Sequence, residues 1–247
     1  MARWAVLSDI HGNLAALEAV VADLAGQGVD RVLNLGDHAS GPLWPAETMD
    51  YLVQQDWLHI AGNHDRQLVR VDPAQHGASD RYAYEHLTPE HLNWLRRLPA
   101  HATPTPELLA FHGSPTSDLV YLLETVQAGR TRLATPAEIR ARLGEASAPL
   151  MVCGHTHRQR AIVVDESTLI VNPGSIGLPA YSGDTPELHV VEAGSPHARY
   201  AVLDDASGQW AVALRLVAYD HHAAARQAAR NDRADWESAL RTGRMAL

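Results

Sequence analysis

The chain has 247 residues, 46% of them apolar, which is enough for a sizeable α/β core, and a net charge of −9 with histidine neutral. That balance argues against a general binder of nucleic acid or anionic membranes, which needs a basic face, but not against a small anionic substrate held at a local positive site. A single cysteine, Cys153, permits no internal disulfide and points to a reducing, cytoplasmic setting, and no apolar run has the length of a signal-peptide core or a membrane span.

Trp4 to Leu7 reads as a buried strand that runs into Asp9 and His11. Asn13 caps a helix through "LAALEAVVADLAGQG", apolar at Leu14, Leu17, Val20, Val21 and Leu24 and stopped by Gly26 and Gly28. "RVLNLGD" is a second strand ending at Gly36 and Asp37, Pro45 opens a helix through "PAETMDYLVQQ", and "WLHIAGNHD" is a third strand and its exit. The order β-α-β-α-β predicts an α/β sheet. Thr88-Pro89 begins another helix, "ELLAFHGSP" is a strand ending in His112, and Thr135, Pro136 and Glu138 form the capping box of a further helix. "APLMVCGHTHRQ" is a strand that delivers His155 and His157. "AIVVDESTLIVNPGS" and "RYAVLDDASGQWAVALRLVAYD" read as hairpins, with turns at 165–167 and near Ser207-Gly208. A polar, Ala-rich helix follows from about His222. The segment Leu178 to His197, rich in Pro and Gly, suits a lid or an edge loop. No repeat or linker divides the chain, so one domain over 1–247 is expected.

Five apolar strands end in polar residues: Asp9 and His11; Asp37; Asn63, His64 and Asp65; His112; His155 and His157. In open α/β sheets ligands sit outside the carboxyl ends of the strands, so these side chains are expected in one crevice. Carboxylates, imidazoles and an amide without thiolate suit Mn²⁺, Fe, Zn²⁺ or Ni²⁺. In an extended segment, Asp9 and His11 would project to one face roughly 6–7 Å apart at the backbone and clamp one ion. His155 and His157 could do the same, or could each serve one of two ions about 3.5–4 Å apart. Seven candidate ligands exceed what one ion with an open site needs, and they fit two.

As an ordered set, Asp9-x-His11, Gly36-Asp37, Gly62-Asn63-His64-Asp65, His112 and Gly154-His155-x-His157 resemble the signature blocks of the calcineurin-like metallophosphoesterases, with the bacterial YfcE-like phosphodiesterases the best-fitting branch. The resemblance runs from Asp9 to about Gly177, about two-thirds of the chain. It implies a four-layer α-β-β-α sandwich in which the hairpins after His157 supply much of the second sheet. One ion would be held by Asp9, His11, Asp37 and His157. A second would be held by Asp37, Asn63, His112 and His155, with Asp37 as the bridge and manganese the favoured metal. A metal-bridging hydroxide would attack phosphorus in line. His64 would donate a proton to the leaving oxygen, and Asp65 would orient that imidazole. His38, beside Asp37, is expected to point away from the ions.

The related serine/threonine phosphatases and dinucleoside tetraphosphatases carry an Arg-Gly pair after the second block, and the phosphatases also carry an arginine before the third. Here those places read "GDHASGP" and Ala61, which weakens the case for a phosphoprotein substrate. The expected activity is therefore hydrolysis of a small phosphate ester, nucleotides included, most simply a diester. The alternatives are a phosphomonoesterase, a protein or dinucleoside-polyphosphate phosphatase, and a non-catalytic scaffold of the same fold. Arg66, Arg81, Arg158 and Arg199 are candidates to hold a second phosphate. Substrate choice is expected to lie in the segments Asp72 to Arg81 and Leu178 to His197, where no code is legible, and oligomeric state has no signature.

Overall fold

The computed structural model describes residues 2–205 and 208–246. Strands β1 (Trp4–Leu7), β2 (Arg31–Asn34) and β3 (Leu58–His59) run parallel and are connected by α1 (Leu14–Leu24) and α2 (Pro45–Leu52). Three short helices follow: α3 (Asn63–Arg70), α4 (Ala78–His86) and α5 (Pro89–Arg96). The chain then lays down β4 (His101–Thr105) and β5 (Leu108–Phe111), a hairpin of β6 (Glu124–Gln127) and β7 (Arg130–Leu133), and α6 (Pro136–Leu143). Strands β8 (Leu150–Val152), β9 (Arg160–Asp165) and β10 (Thr168–Asn172) complete a second sheet in the order β4-β5-β8-β10-β9. After the hairpin β11 (Ala180–Gly183) and β12 (His189–Glu192) come β13 (Ala198–Asp204), β14 (Ala211–Val217), α7 (His221–Arg230) and α8 (Ala234–Thr242).

The alternation of β1 sets the layering. Ala5 and Leu7 face one way and pack with Ala16, Leu17 and Val20 of α1; Trp4 and Val6 face the other way. There they meet Leu33, Leu35 and Ile60 from their own sheet and Leu108, Ala110, Leu150, Val152 and Val171 from the second. The far face of the second sheet, with Phe111, Met151, Cys153 and Ile170, is covered by Leu122, Leu123 and by Ile139 and Leu143 of α6. The result is the expected four-layer α-β-β-α sandwich. Among the described residues no helix is long and apolar enough to cross a membrane.

Four local expectations change. Only the hairpin β9–β10 enters the second sheet; β13 and β14 extend the first, in the order β14-β13-β1-β2-β3. The reason is the apolar content of β13. Ala198, Tyr200 and Val202 join the helical layer while Ala201 and Leu203 join the inter-sheet core, so this strand needs cover on both faces, which the edge of β1 provides. Asn63 opens a helix rather than ending a strand, because β3 is only two residues long. The segment 178–197 is built around a hairpin, and the C-terminal helix is two helices. The turn at 165–167 forms, with the Ser167 amide donating to Asp165, whereas Ser207 of the other expected turn lies outside the described residues.

Asp23 near the end of α1 ties that helix to the added strands: Tyr200 of β13 and Arg215 of β14 both donate to its carboxylate. The Tyr200 hydrogen bond, reinforced by Arg215 and opposed by burial, lowers the Asp23 carboxyl below its ordinary value of 3.8. A carboxylate lowered on folding stabilises above its unfolded pKa and loses that contribution as pH falls. Wild type should therefore melt above Asp23→Asn at pH 7, and the gap should close as melts are taken down through pH 4 to 3. A gap independent of pH would show that the contribution does not come from this carboxylate.

Candidate metal centre and cleft

The carboxyl ends of the strands bring two groups of donors together. Asp9, His11 and His157 present ligand atoms within 4.8 Å of one another, as do Asp37, His112 and His155. Asn63 joins the second group, its Oδ1 lying 3.1 Å from His112 Nε2. All seven sequence-predicted ligands therefore converge. His155 and His157 separate, one to each group, rather than clamping a single ion.

The backbone that delivers them is not extended. Among the described residues seven non-glycine positions have positive φ, and five of them are Asp9, His11, Asp37, His155 and His157. Left-handed backbone is uncommon for such residues and marks functional sites when the surroundings enforce it. Here hydrogen bonds between the strand exits enforce it: Asp9 N–H to Gly36 O, His11 N–H to Asp37 O, and Gly154 N–H to His112 O. Two glycines allow the second and third exits to meet. A Cβ on Gly36 would collide with the backbone of Gly62, and a Cβ on Gly62 would collide with the Asp37 carboxylate.

Ring tautomers follow from the carbonyls that hold the imidazoles. Nδ1 of His11, His157 and His112 lies 2.7, 2.6 and 2.7 Å from the carbonyls of Ser40, Leu178 and Leu35, so each Nδ1 carries a proton and Nε2 is the ligating atom of the neutral ring. His155 is reversed, with Nε2 against the Leu119 carbonyl. Nε2 of His11 and of His157 then face each other at 3.2 Å. Asp9 Oδ1, 3.2 Å from His157 Nε2, is buried without a hydrogen bond. Asp37 uses Oδ1 to accept the His64 amide and turns Oδ2 to both groups, 3.9 Å from His11 and 3.3 Å from His112. Opposed lone pairs, an orphaned buried carboxylate oxygen and a carboxylate aimed at both groups fit a pair of cations.

Protonation preferences agree with ligation. Burial, then the neighbouring His157, pushes His11 down to about 4, and burial, then His112, pushes His155 to about 3, so both are neutral at pH 7. Burial would raise Asp9, but the neighbouring His157 outweighs it and holds the carboxyl at about 2. Burial would lower His112, yet Asp37 and Asp9 raise it to about 10, so a cation entering this site displaces its proton.

His64 stands beside the centre and is not in either group. Its Nδ1 lies 2.7 Å from Asp80 Oδ1 and 3.3 Å from Ser40 Oγ. Burial pulls His64 down, but Asp37 and the Asp80 hydrogen bond win, raising it to about 9. The residue that orients it is thus Asp80 and not, as expected, Asp65. Successive residues of a helix point in different directions. Asp65 is turned inward, accepting from the amides of Gly62, Asp37 and His38 and pairing with His38 Nδ1 at 2.8 Å. His38 accordingly points away from the centre, its other nitrogen on His59. Asp80 carries no motif that a sequence could flag.

A cleft of about 190 Å³ opens over His11, Asp37, His155 and His157. Its roof is the α7–α8 pair, which packs Ala224, Ala225, Ala228, Trp236, Ala239 and Leu240 onto Leu43, Leu178 and Ala180. The Trp236 ring centre is 6.0 Å from that of His11. Of the arginines singled out in the sequence, Arg66 pairs with Asp118, Arg81 donates to the His76 carbonyl, Arg158 to the Glu192 carbonyl, and Arg199 to the carbonyls of Ser195 and His197. None of the four lines the cleft; Arg233, which the sequence did not flag, does.

The sequence model described as a calcineurin-like phosphoesterase superfamily domain matches residues 3–195. An uncharacterized protein of Methanocaldococcus jannaschii, MJ0912, is 39% identical over 61 residues, 25% of this chain and 25% of that protein, so the match spans about a quarter of that relative. A metallophosphoesterase from Sphaerobacter thermophilus superposes with a TM-score of 0.74 at 24% identity, over 98% of this chain and 99% of its own. The hypothetical protein PH1004 of Pyrococcus horikoshii superposes with a TM-score of 0.75 at 19% identity, over 100% of both chains.

Gly62→Ala should displace the Asp37 carboxylate and lower bound divalent metal while the fold survives, read by elemental analysis beside circular dichroism. Metal content equal to wild type would contradict the close approach of Gly62 and Asp37.

Proposed function

The chain belongs to the calcineurin-like phosphoesterase superfamily, and from that premise we propose that it is a phosphodiesterase that works with two divalent ions, manganese favoured. The superfamily comprises phosphoric ester hydrolases that use divalent metal. The observation that carries the finer reading is Asp37 Oδ2 turned to both donor groups, with His64 on the cleft side. When bound, the ions supply Lewis acidity that activates water and charge that binds phosphoryl oxygens.

The residues do the rest. Asp9, His11, Asp37 and His157 would hold one ion, and Asp37, Asn63, His112 and His155 would hold the other. Asp9 and Asp37 cancel only part of the cationic charge, so the centre attracts a phosphate ester although the chain is acidic. Water oxygen bonds to phosphorus as the ester P–O bond breaks on the opposite side. His64 passes a proton from Nε2 to the departing alkoxide, and Asp80, bonded to Nδ1, keeps that nitrogen aimed. A diester carries one negative charge, which the centre itself can meet, so it needs no further cationic side chain for a second charge. Among the described residues the only guanidinium lining the cleft is Arg233, and Asp235 neutralises it. The ordered motifs from Asp9 to His157 support kinship with the YfcE-like branch.

With Mn²⁺, bis-p-nitrophenyl phosphate should be turned over faster than p-nitrophenyl phosphate. The reverse order would replace diesterase by monoesterase, and no turnover with any divalent ion would favour the scaffold reading. On an alkyl diester, His64→Ala should lower kcat by about 10²-fold or more with metal content unchanged. Adding Asp80→Asn to that variant should cost little further, because both substitutions remove one function. Metal loss in His64→Ala would make His64 a ligand, and additive losses would separate Asp80 from it.

A further inference from the structure

His64 marks where a leaving group must lie. Asp80 and Ser40 occupy its Nδ1 side, and Nε2 carries no hydrogen bond to a described residue, so the departing oxygen meets Nε2 in the cleft. Facing that space are Ser79 at the start of α4 and Arg233, Asp235 and Trp236 at the start of α8. Arg233 is fixed in place. Its Nε and Nη2 donate to the two Asp235 oxygens at 2.9 and 2.7 Å, Nη1 donates to Ser79 Oγ at 2.8 Å, and the guanidinium lies 5.6 Å from the Trp236 ring centre.

This arrangement limits what can leave. A guanidinium has five N–H donors, so two of Arg233's remain, and of the roughly four lone-pair sites of the Asp235 carboxylate Arg233 takes two. The pair is neutral overall, so a second phosphate gains little from it. A hydroxyl both accepts and donates, and a neutral donor–acceptor pair serves it well. Trp236 is only 5% exposed, which leaves no open aromatic face for a base to stack on. The cleft, about 190 Å³, also falls below the roughly 300–1,000 Å³ of sites for larger organic ligands.

We propose that Arg233 and Asp235 are specificity-determining residues that read a small, hydroxyl-bearing leaving alcohol of the polyol class. The inference rests on the diesterase reading and adds the chemistry of the departing arm. Diglyceryl phosphate, whose two arms are identical, tests it against bis-p-nitrophenyl phosphate, whose arms lack hydroxyls, and against a dinucleoside monophosphate, whose arms are bulky. Wild type should favour diglyceryl phosphate over the dinucleoside monophosphate by about tenfold or more in kcat/KM. Arg233→Met and Asp235→Asn should each lower the ratio of kcat/KM for diglyceryl phosphate to that for bis-p-nitrophenyl phosphate by about tenfold. Arg233→Lys, which keeps the charge but loses the fork, should also lower it. Metal content and melting temperature are read for each variant, and if Arg233→Met does not fold, Asp235→Asn and Ser79→Ala carry the test. A ratio within about twofold of wild type in these variants overturns the inference. So does a wild type that cleaves bis-p-nitrophenyl phosphate but not diglyceryl phosphate, an outcome that leaves the diesterase reading standing. Failure to cleave any of the three strikes that reading itself.

Discussion

Lone pairs held against one another are the constraint around which this molecule is organised. Two imidazole nitrogens face each other at 3.2 Å, a carboxylate oxygen is buried with no hydrogen bond, and a second carboxylate looks into both donor groups. Such an arrangement is unfavourable until positive charge enters it, and proteins hold one only where the rest of the structure over-determines it. Five of the candidate ligands sit in left-handed backbone, each costing on the order of 1–2 kcal/mol. What keeps them there is rigid: apolar strands packed on both faces, hydrogen bonds between strand exits, and backbone carbonyls that grip the far nitrogen of three imidazoles.

The edges of the sandwich turn this centre into a cleft. The α7–α8 pair closes one side through its own apolar cluster, and the β11–β12 hairpin supplies another wall through Tyr181, whose hydroxyl bonds to Tyr121 and to the His155 carbonyl. The strand ends and the start of α3 carry the donors and His64, while the α4 start and the C-terminal helices carry the groups that would meet the arm of the proposed ester. Variation in those peripheral elements can change the substrate without disturbing the donors.

Much of this was legible from sequence, for definable reasons. Strand exits in an α/β sheet converge, so Asp9, His11, Asp37, Asn63, His112, His155 and His157 could be collected without coordinates. Gly36 and Gly62 mark the places where two exits approach too closely for a side chain. Adjacency in sequence misled where the backbone turned helical: Asp65 follows His64, but a step along a helix points it into the backbone of the second block, and Asp80 holds the imidazole instead. Arg233 and Trp236 were illegible because contacts across 154 residues or more leave no pattern in one chain. The β13–β14 hairpin joins the first sheet and not the second, a choice the sequence leaves open because its apolar run fits either edge until the partner strand is known.

Metal stoichiometry of the wild-type protein bears most directly on the account. Titration of apoprotein with Mn²⁺, followed by calorimetry and by elemental analysis after removal of free ion, should give two ions per chain, with protons released on binding as His112 gives up its proton. One ion or none would contradict a centre in which Asp37 serves both donor groups.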